Sequence, residues 1–177
     1  INPYVLMVSM LLSVGCSQGG DTEGGTDTSA PFTMPQVEHV VVIGIDGMGG
    51  LFVTGPQTPT LDRLMQEGAY SLDMQNVLPT SSSTNWMSML NGQGTDGHGV
   101  YSNSWSVGES DPAPTIVQLL RSQNPDATIG VFHDWGDFGR LVEDGVADEK
   151  SDPGDENETA AAAIDFIKMN ARSFIIF

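Results

Sequence analysis

The sequence predicts an α/β fold, a mixed or parallel sheet flanked by helices, truncated at its C-terminus. Three observations point there. Val40-Val41-Val42-Ile43-Gly44-Ile45 is a continuous apolar, mostly β-branched run. Two further runs, residues 127–132 (Ala127 to Phe132) and 173–177 (Ser173 to Phe177), have the same character. Between them lie segments with apolar residues at helical spacing. Unbroken apolarity marks strands buried on both faces, as in parallel sheets, and strand–helix alternation is the signature of an α/β layer architecture. The chain stops inside the last run, hence the expectation of a truncated sheet.

The elements follow in order. The first strand ends at Asp46-Gly47. Thr58-Pro59 opens a helix, with Thr58 as N-cap and Pro59 at the first helical position. Leu61, Leu64 and Met65 form its apolar stripe, and Gly68 closes it. Residues 70–78 read as a strand, followed by Pro79 and a hydroxyl-rich turn. Residues 85–90 read as a helix ended by Asn91-Gly92, and 92–114 as a Gly/Ser/Asp-rich loop region. Residues 115–122 form a second amphipathic helix through Ile116, Val117, Leu119 and Leu120. Residues 138–142 are a short helix or loop, 151–158 an acidic loop, and 159–170 a helix with Ile164 and Ile167 on one face.

Ahead of this lies a different kind of sequence. Residues 5–12 are apolar but too few to span a bilayer, which takes about 20 residues. They suit the core of a secretory signal, and Gly15-Cys16 follows. A small residue before a lone cysteine resembles the lipobox of bacterial lipoproteins, which makes Cys16 the expected lipidation site. An ordinary cleaved signal with an incidental cysteine is the alternative. Residues 17–36 lack hydrophobic periodicity and read as a flexible tether, spanning roughly 25 Å if it behaves as a Gly/Ser coil. The expected organisation is therefore 1–16 export signal with a lipobox, 17–36 tether and 37–177 the N-terminal part of a globular α/β domain. The expected location is the periplasm or cell surface, with the membrane as a partner through the lipid anchor.

The charge balance excludes one class of function. Six Lys and Arg stand against 23 Asp and Glu, a formal charge of −17. Neutralising nucleic-acid phosphates takes clustered basic residues, so no nucleic-acid-binding surface is expected. A site for phosphorylated ligands would need positive charge from elsewhere, and bound cations are the obvious supply. One cysteine also excludes an internal disulfide framework. Gly47-Met48-Gly49-Gly50 fails the dinucleotide fingerprint because Phe52 takes its last place. Asp152 to Glu158 lacks EF-hand order.

Two features carry chemistry. Asp46 sits where a strand ends, the edge at which open α/β sheets bind ligands, and offers a hard oxygen donor. A turn-capping aspartate is the competing reading. Residues 79–86, Pro79-Thr80-Ser81-Ser82-Ser83-Thr84-Asn85-Trp86, place hydroxyls at a helix opening. Ser and Thr are preferred N-caps, yet the same geometry puts a hydroxyl in a positive dipole where phosphate is favoured.

Four segments taken together resemble a known family: Ile45-Asp46-Gly47, Thr58-Pro59-Thr60-Leu61, residues 77–86 and residues 92–100 with His98-Gly99-Val100. They are similar to the type I phosphodiesterases/nucleotide pyrophosphatases of the alkaline phosphatase superfamily. The resemblance implies a metal-dependent phosphoric ester hydrolase with two divalent metal ions, typically zinc, and a small phosphorylated substrate. It makes Asp46 a ligand of one metal. It makes Ser82 the nucleophile that is transiently phosphorylated and also touches a metal, with Ser81 and Ser83 as neighbouring alternatives. Asn85 would contact a phosphate oxygen and Asn103 line the pocket, while His98 would be structural. Related chains often carry Pro at the position of Thr84, and they place an Asp-x-x-x-His group and later ligands beyond the equivalent of Phe177. Residues 1–177 alone are therefore expected to be inactive. Sulfatase chemistry is disfavoured, because neither Pro nor Arg follows Ser82 at the sulfatase spacing. The rival class is a non-catalytic exported lipoprotein that uses the same fold to bind a ligand or partner.

Overall fold

A computed structural model of the protein describes residues 37–49, 53 and 58–176. The export signal, Cys16, the tether, Phe52 and Phe177 lie outside the described residues. Among the described residues four strands form one sheet: β1 (His39–Val42), β2 (Ile129–Phe132), β3 (Glu149–Ser151) and β4 (Ser173–Ile176). Their order is β1-β4-β2-β3 and every pairing is parallel. The helices are α1 (Pro59–Glu67), α2 (Ser82–Asn91), α3 (Thr95–His98), α4 (Ile116–Gln123), α5 (Gly136–Gly139) and α6 (Glu156–Met169). Among the described residues no helix is long and apolar enough to cross a membrane.

Side chains alternate across a strand, and this alternation builds a core on each face of the sheet. Ile129, Val131 and Ile176 pack with Trp86, Met87 and Leu90 of α2 and Val117 of α4. Phe132 and Ile175 point the other way, to Ala163 and Phe166 of α6. The Phe132 and Phe166 rings meet edge-on at 5.6 Å, a favoured aromatic geometry. The result is the α/β sheet flanked by helices that the apolar runs predict.

Several local expectations need correction. β1 ends at Val42 and is only half-buried, because among the described residues it lies at one margin of the sheet with β4 as its single neighbour. The His39 Nδ1 to Ser173 Oγ contact of 2.8 Å ties the two strands in register. Residues 70–78 form no strand. Tyr70, Leu72, Met74 and Leu78 are exposed, and among the described residues no neighbouring backbone pairs with the segment. β3 emerges inside a charged stretch that carries no apolar run; a short, charged strand is typical of a sheet margin. At α1, Pro59 takes its expected place, but the Thr58 side chain makes no capping bond. α6 begins earlier than its alanines suggest, capped by Asp155, which accepts from Asn157 N and Glu158 N. Its buried face is Thr159, Ala163 and Phe166, and Ile164 is exposed.

Candidate active site

The site lies at the C-terminal ends of the parallel strands. After β1 the chain leaves the sheet through Ile43-Gly44-Ile45 and turns at Asp46-Gly47. Gly47 has φ +73°, a left-handed conformation that glycine adopts without the Cβ penalty. Gly44 is required for another reason. A Cβ at this position would fall inside the Trp86 ring, against Cη2 and Cζ3. That close approach lets the Trp86 indole N–H reach Asp46, donating to Oδ2 at 3.4 Å.

Helix α2 supplies the hydroxyl. Pro79 and the turn after it lead to Ser81 at the N-cap, with Ser82 as the first helical residue. Gly92 ends the helix in a left-handed cap. Asp46, Asn76, Thr80, Ser81, Ser82, Asn85 and Trp86 all line one small cavity of about 10 Å³, room for about one water-sized sphere. The carboxylate at the strand's end and the hydroxyl at the helix opening thus face a common space.

The three neighbouring serines differ sharply. Ser81 Oγ is bonded to Thr84 Oγ1 at 2.6 Å. Ser83 is fully buried, its Oγ without a partner, and its backbone N–H donates to Asn103 Oδ1 at 2.9 Å. Ser82 is half-exposed and lines the cavity, as Ser81 also does, but its Oγ makes no hydrogen bond among the described residues. Of the three, it alone is free to meet a ligand.

Asn85 has a different posture from a free phosphate contact. Its Oδ1 accepts from Val77 N at 2.9 Å, and its Nδ2 is spread over Ser81 O at 3.1 Å, Pro79 O at 3.3 Å and Val77 O at 3.4 Å. It faces the cavity while clamping the loop that delivers Ser82. Asn103 lies against the helix opening and caps it through Ser83; its own carbonyl accepts from Arg140 Nη2. Trp86, read from sequence as packing, is both core and hydrogen-bond partner of Asp46. The sequence held no signal for that pairing, because 40 positions separate the two residues.

His98 belongs to the scaffold. Its Nδ1 accepts from Val100 N at 3.0 Å, so Nε2 carries the proton and donates to Ser88 Oγ at 2.9 Å. Burial pushes its pKa below the ordinary histidine value. The unfolded chain takes up a proton below about pH 6.5 while the folded one resists it. The stabilisation from neutral His98 is therefore complete above that pH and declines as pH falls below it. Urea unfolding of the wild type and His98→Asn should show the wild type more stable at about pH 7.5, with the gap narrowing towards pH 5.5. A gap that stays constant would exclude this role.

Among the described residues no group of three or more His, Cys, Asp and Glu is assembled to hold a metal ion. Asp46 and Ser82 are hard oxygen donors, which suits them to part of a divalent cation's shell. A tetrahedral zinc site takes four ligands, so the pair fits as a portion of such a set.

The family model for type I phosphodiesterase / nucleotide pyrophosphatase matches residues 40–142, a span that runs from β1 past α5 and holds Asp46, Ser82, Asn85 and Asn103. No curated protein and no solved structure matches the chain. With more than half of its residues under that match, the chain belongs to the type I phosphodiesterase / nucleotide pyrophosphatase family and so to the phosphoric ester hydrolases.

Proposed function

We propose that the full-length protein cleaves phosphoric esters through a phosphorylated Ser82, with Asp46 and Ser82 as ligands within a pair of divalent cations, zinc by preference. The observation that carries this reading is the free Ser82 hydroxyl facing the same cavity as the Asp46 carboxylate. Ser82 Oγ would form a bond to phosphorus as the bond to the leaving alcohol breaks, and the serine's proton would leave with the alcohol or pass to solvent. Water would then cleave the Ser82 phosphoester, restoring the hydroxyl and releasing phosphate or its monoester. Bound cations would supply the positive charge that developing phosphoryl charge requires, which the chain's own acidic surface does not provide.

Asp46 would hold its place through the Gly47 turn and the Trp86 N–H. Asn85 would fix the loop ahead of Ser82, and turning its amide towards the cavity would bring it to a phosphate oxygen. Because Asp46 and Ser82 are the only donors we assign, residues 1–177 by themselves should show no useful turnover. Gly15-Cys16 after an apolar run supports export and attachment to a membrane through a lipid on Cys16.

An acid quench of the full-length protein during turnover, followed by peptide mass spectrometry, should find phosphate on Ser82. Prior treatment with a chelator should abolish that labelling, and added zinc should restore it. Phosphate on another residue, or labelling indifferent to chelation, would overturn the reading.

A further inference from the structure

Helix α2 carries Ser82 as its first residue, yet it does not cap itself. The Ser81 side chain makes no capping bond, because its Oγ is spent on Thr84 Oγ1. A helix opening leaves its first backbone N–H groups without intrahelical acceptors. The one on Ser83, beside Ser82, is met from outside the helix, by Asn103 Oδ1 at 2.9 Å, 20 positions along the chain.

The cap therefore depends on where residue 103 is held. Residues 99–115, between α3 and α4, form no helix or strand, and Asn103 itself is exposed. Among the described residues, the other hydrogen bonds of 101–104 stay within the loop, as between Ser102 Oγ and Ser104 Oγ, or reach Asp96 from Tyr101. What ties Asn103 to the rest of the fold, apart from α2, is the bond from Arg140 Nη2 to its carbonyl oxygen.

Arg140 stands on a firm base. It follows α5, and Phe138, Leu141 and Val142 around it are buried in the core that also holds Trp86 and Met87 of α2. Lys150 Nζ, from β3, donates to Gly139 O at 3.2 Å and to Val142 O at 3.1 Å, on either side of Arg140. Asp137 Oδ1 holds the other arm of the guanidinium, 3.0 Å from Nη1. A planar fork serves two partners at once, which the point charge of a lysine does not. Arg140 Nε is buried without a partner among the described residues. An unmade donor costs stability, so packing alone does not account for an arginine here; the two Nη bonds do.

We propose that Arg140 is a positioning residue for the reaction of Ser82. It fixes the Asn103 backbone, Asn103 Oδ1 fixes the Ser83 N–H, and the first turn of α2 then presents the Ser82 hydroxyl to the Asp46 cavity. This role rests on the phosphoesterase reading above and adds to it a residue that lies outside the Ser82 cavity. Arg140 touches no reacting atom. Loss of its grip lets Asn103 drift, frees the Ser83 N–H and spreads the Ser82 hydroxyl over positions from which it attacks poorly. A misplacement of about 1 Å at such a group costs about a hundredfold in rate.

Turnover of bis-p-nitrophenyl phosphate by the full-length protein tests this. Arg140→Met keeps the bulk of the stem and removes every donor. It should lower kcat by about tenfold to a hundredfold while KM changes by less than about threefold. On an Asn103→Ala background the same change should cost less than about twofold more, since no side chain is left to aim at Ser83. Amide hydrogen exchange gives a readout apart from turnover. At Ser83 it should be about fivefold faster in Arg140→Met than in wild type, as the loss of one hydrogen bond implies, with β2 and β4 unchanged. If Arg140→Met loosens β2 and β4 as well, Arg140→Lys decides. Its single charge does not serve Asp137 and Asn103 together, so its Ser83 amide should still exchange faster than wild type while β2 and β4 do not. A loss of kcat that is equal on both backgrounds, a raised KM with kcat kept, or Ser83 exchange at the wild-type rate would overturn the proposal. Faster Ser83 exchange in a protein whose Ser82→Ala variant keeps full turnover would defeat the nucleophile assignment while the clamp on α2 stands. Ser82-dependent turnover that ignores Arg140 would defeat the positioning role alone.

Discussion

Ser82→Ala in the full-length protein should lower kcat for bis-p-nitrophenyl phosphate by about three orders of magnitude or more, the scale on which nucleophile removal acts. Ser81→Ala and Ser83→Ala should each stay within about tenfold of wild type. The contrast follows from what each hydroxyl already does. Ser81 Oγ is committed to Thr84 Oγ1, so its loss frays the helix opening and costs about 1 kcal/mol of stability. Ser83 Oγ is buried and unpartnered, so its removal sacrifices no bond and leaves the Ser83 N–H to Asn103 contact in place. Ser82 stands between them with a free hydroxyl on the Asp46 cavity. If the proposed cations are bound, the variant should keep most of them, because only the Ser82 contact is lost while Asp46 and its bond from Trp86 are untouched. Turnover that survives Ser82→Ala but not Ser81→Ala would move the nucleophile one residue towards the N-terminus and break the register on which the site assignment stands.

What the sequence made legible was whatever depends on neighbours along the chain. β2 and β4 showed as apolar runs because both their faces are buried. α4 showed as a stripe of apolar residues behind Thr115, whose side chain does accept the capping bond from Gln118 N. Asp46 and Ser82 could be singled out because each sits at the end of such an element, and the family resemblance joined them.

What stayed hidden depends on partners far away in sequence. β3 exists because Gly130, Val131 and Phe132 offer it an edge, a fact absent from Glu149-Lys150-Ser151 itself. Residues 70–78 carry apolar residues at alternate positions, yet a strand needs a ladder, and no described strand is placed to give one. The buried face of α6 is set by the position of Phe132 beneath Phe166, which demotes Ile164 in favour of Thr159 and Ala163. The cavity of about 350 Å³ beside Trp86 was invisible for the same reason, since its walls come from the segment after β1 and from α2, β2, α5, α6 and β4 together.

Gly44→Ala should destabilise the protein by about 1–3 kcal/mol, the usual cost of forcing atoms into a packed core. For a chain of this size that is about 5 °C in Tm, and turnover should fall by about a hundredfold, because a misplacement of about 1 Å at a catalytic group has that effect. The added methyl would overlap the Trp86 ring. Trp86 is 7% exposed, and Phe138 meets its ring edge-on at 5.1 Å and 86°, so the indole can give way only into the cavity of about 350 Å³ that it lines, a shift that would break its N–H bond to Asp46 Oδ2. The strain that the ring does not absorb passes into the backbone of residues 43–45, which carries Asp46 and has no strand partner among the described residues once β1 ends at Val42. Stability and chemistry therefore fail together, although Gly44 touches no substrate. A double-mutant cycle separates this from a simple loss of backbone freedom. Trp86→Leu removes the ring carbons that the new methyl would strike. On that background the added cost of Gly44→Ala should shrink by at least about 1 kcal/mol, the coupling expected of residues in direct contact. If the cost is the same with and without the indole, Trp86 does not fix the strand exit. The Asp46 carboxylate would then owe its position to the Gly47 turn alone.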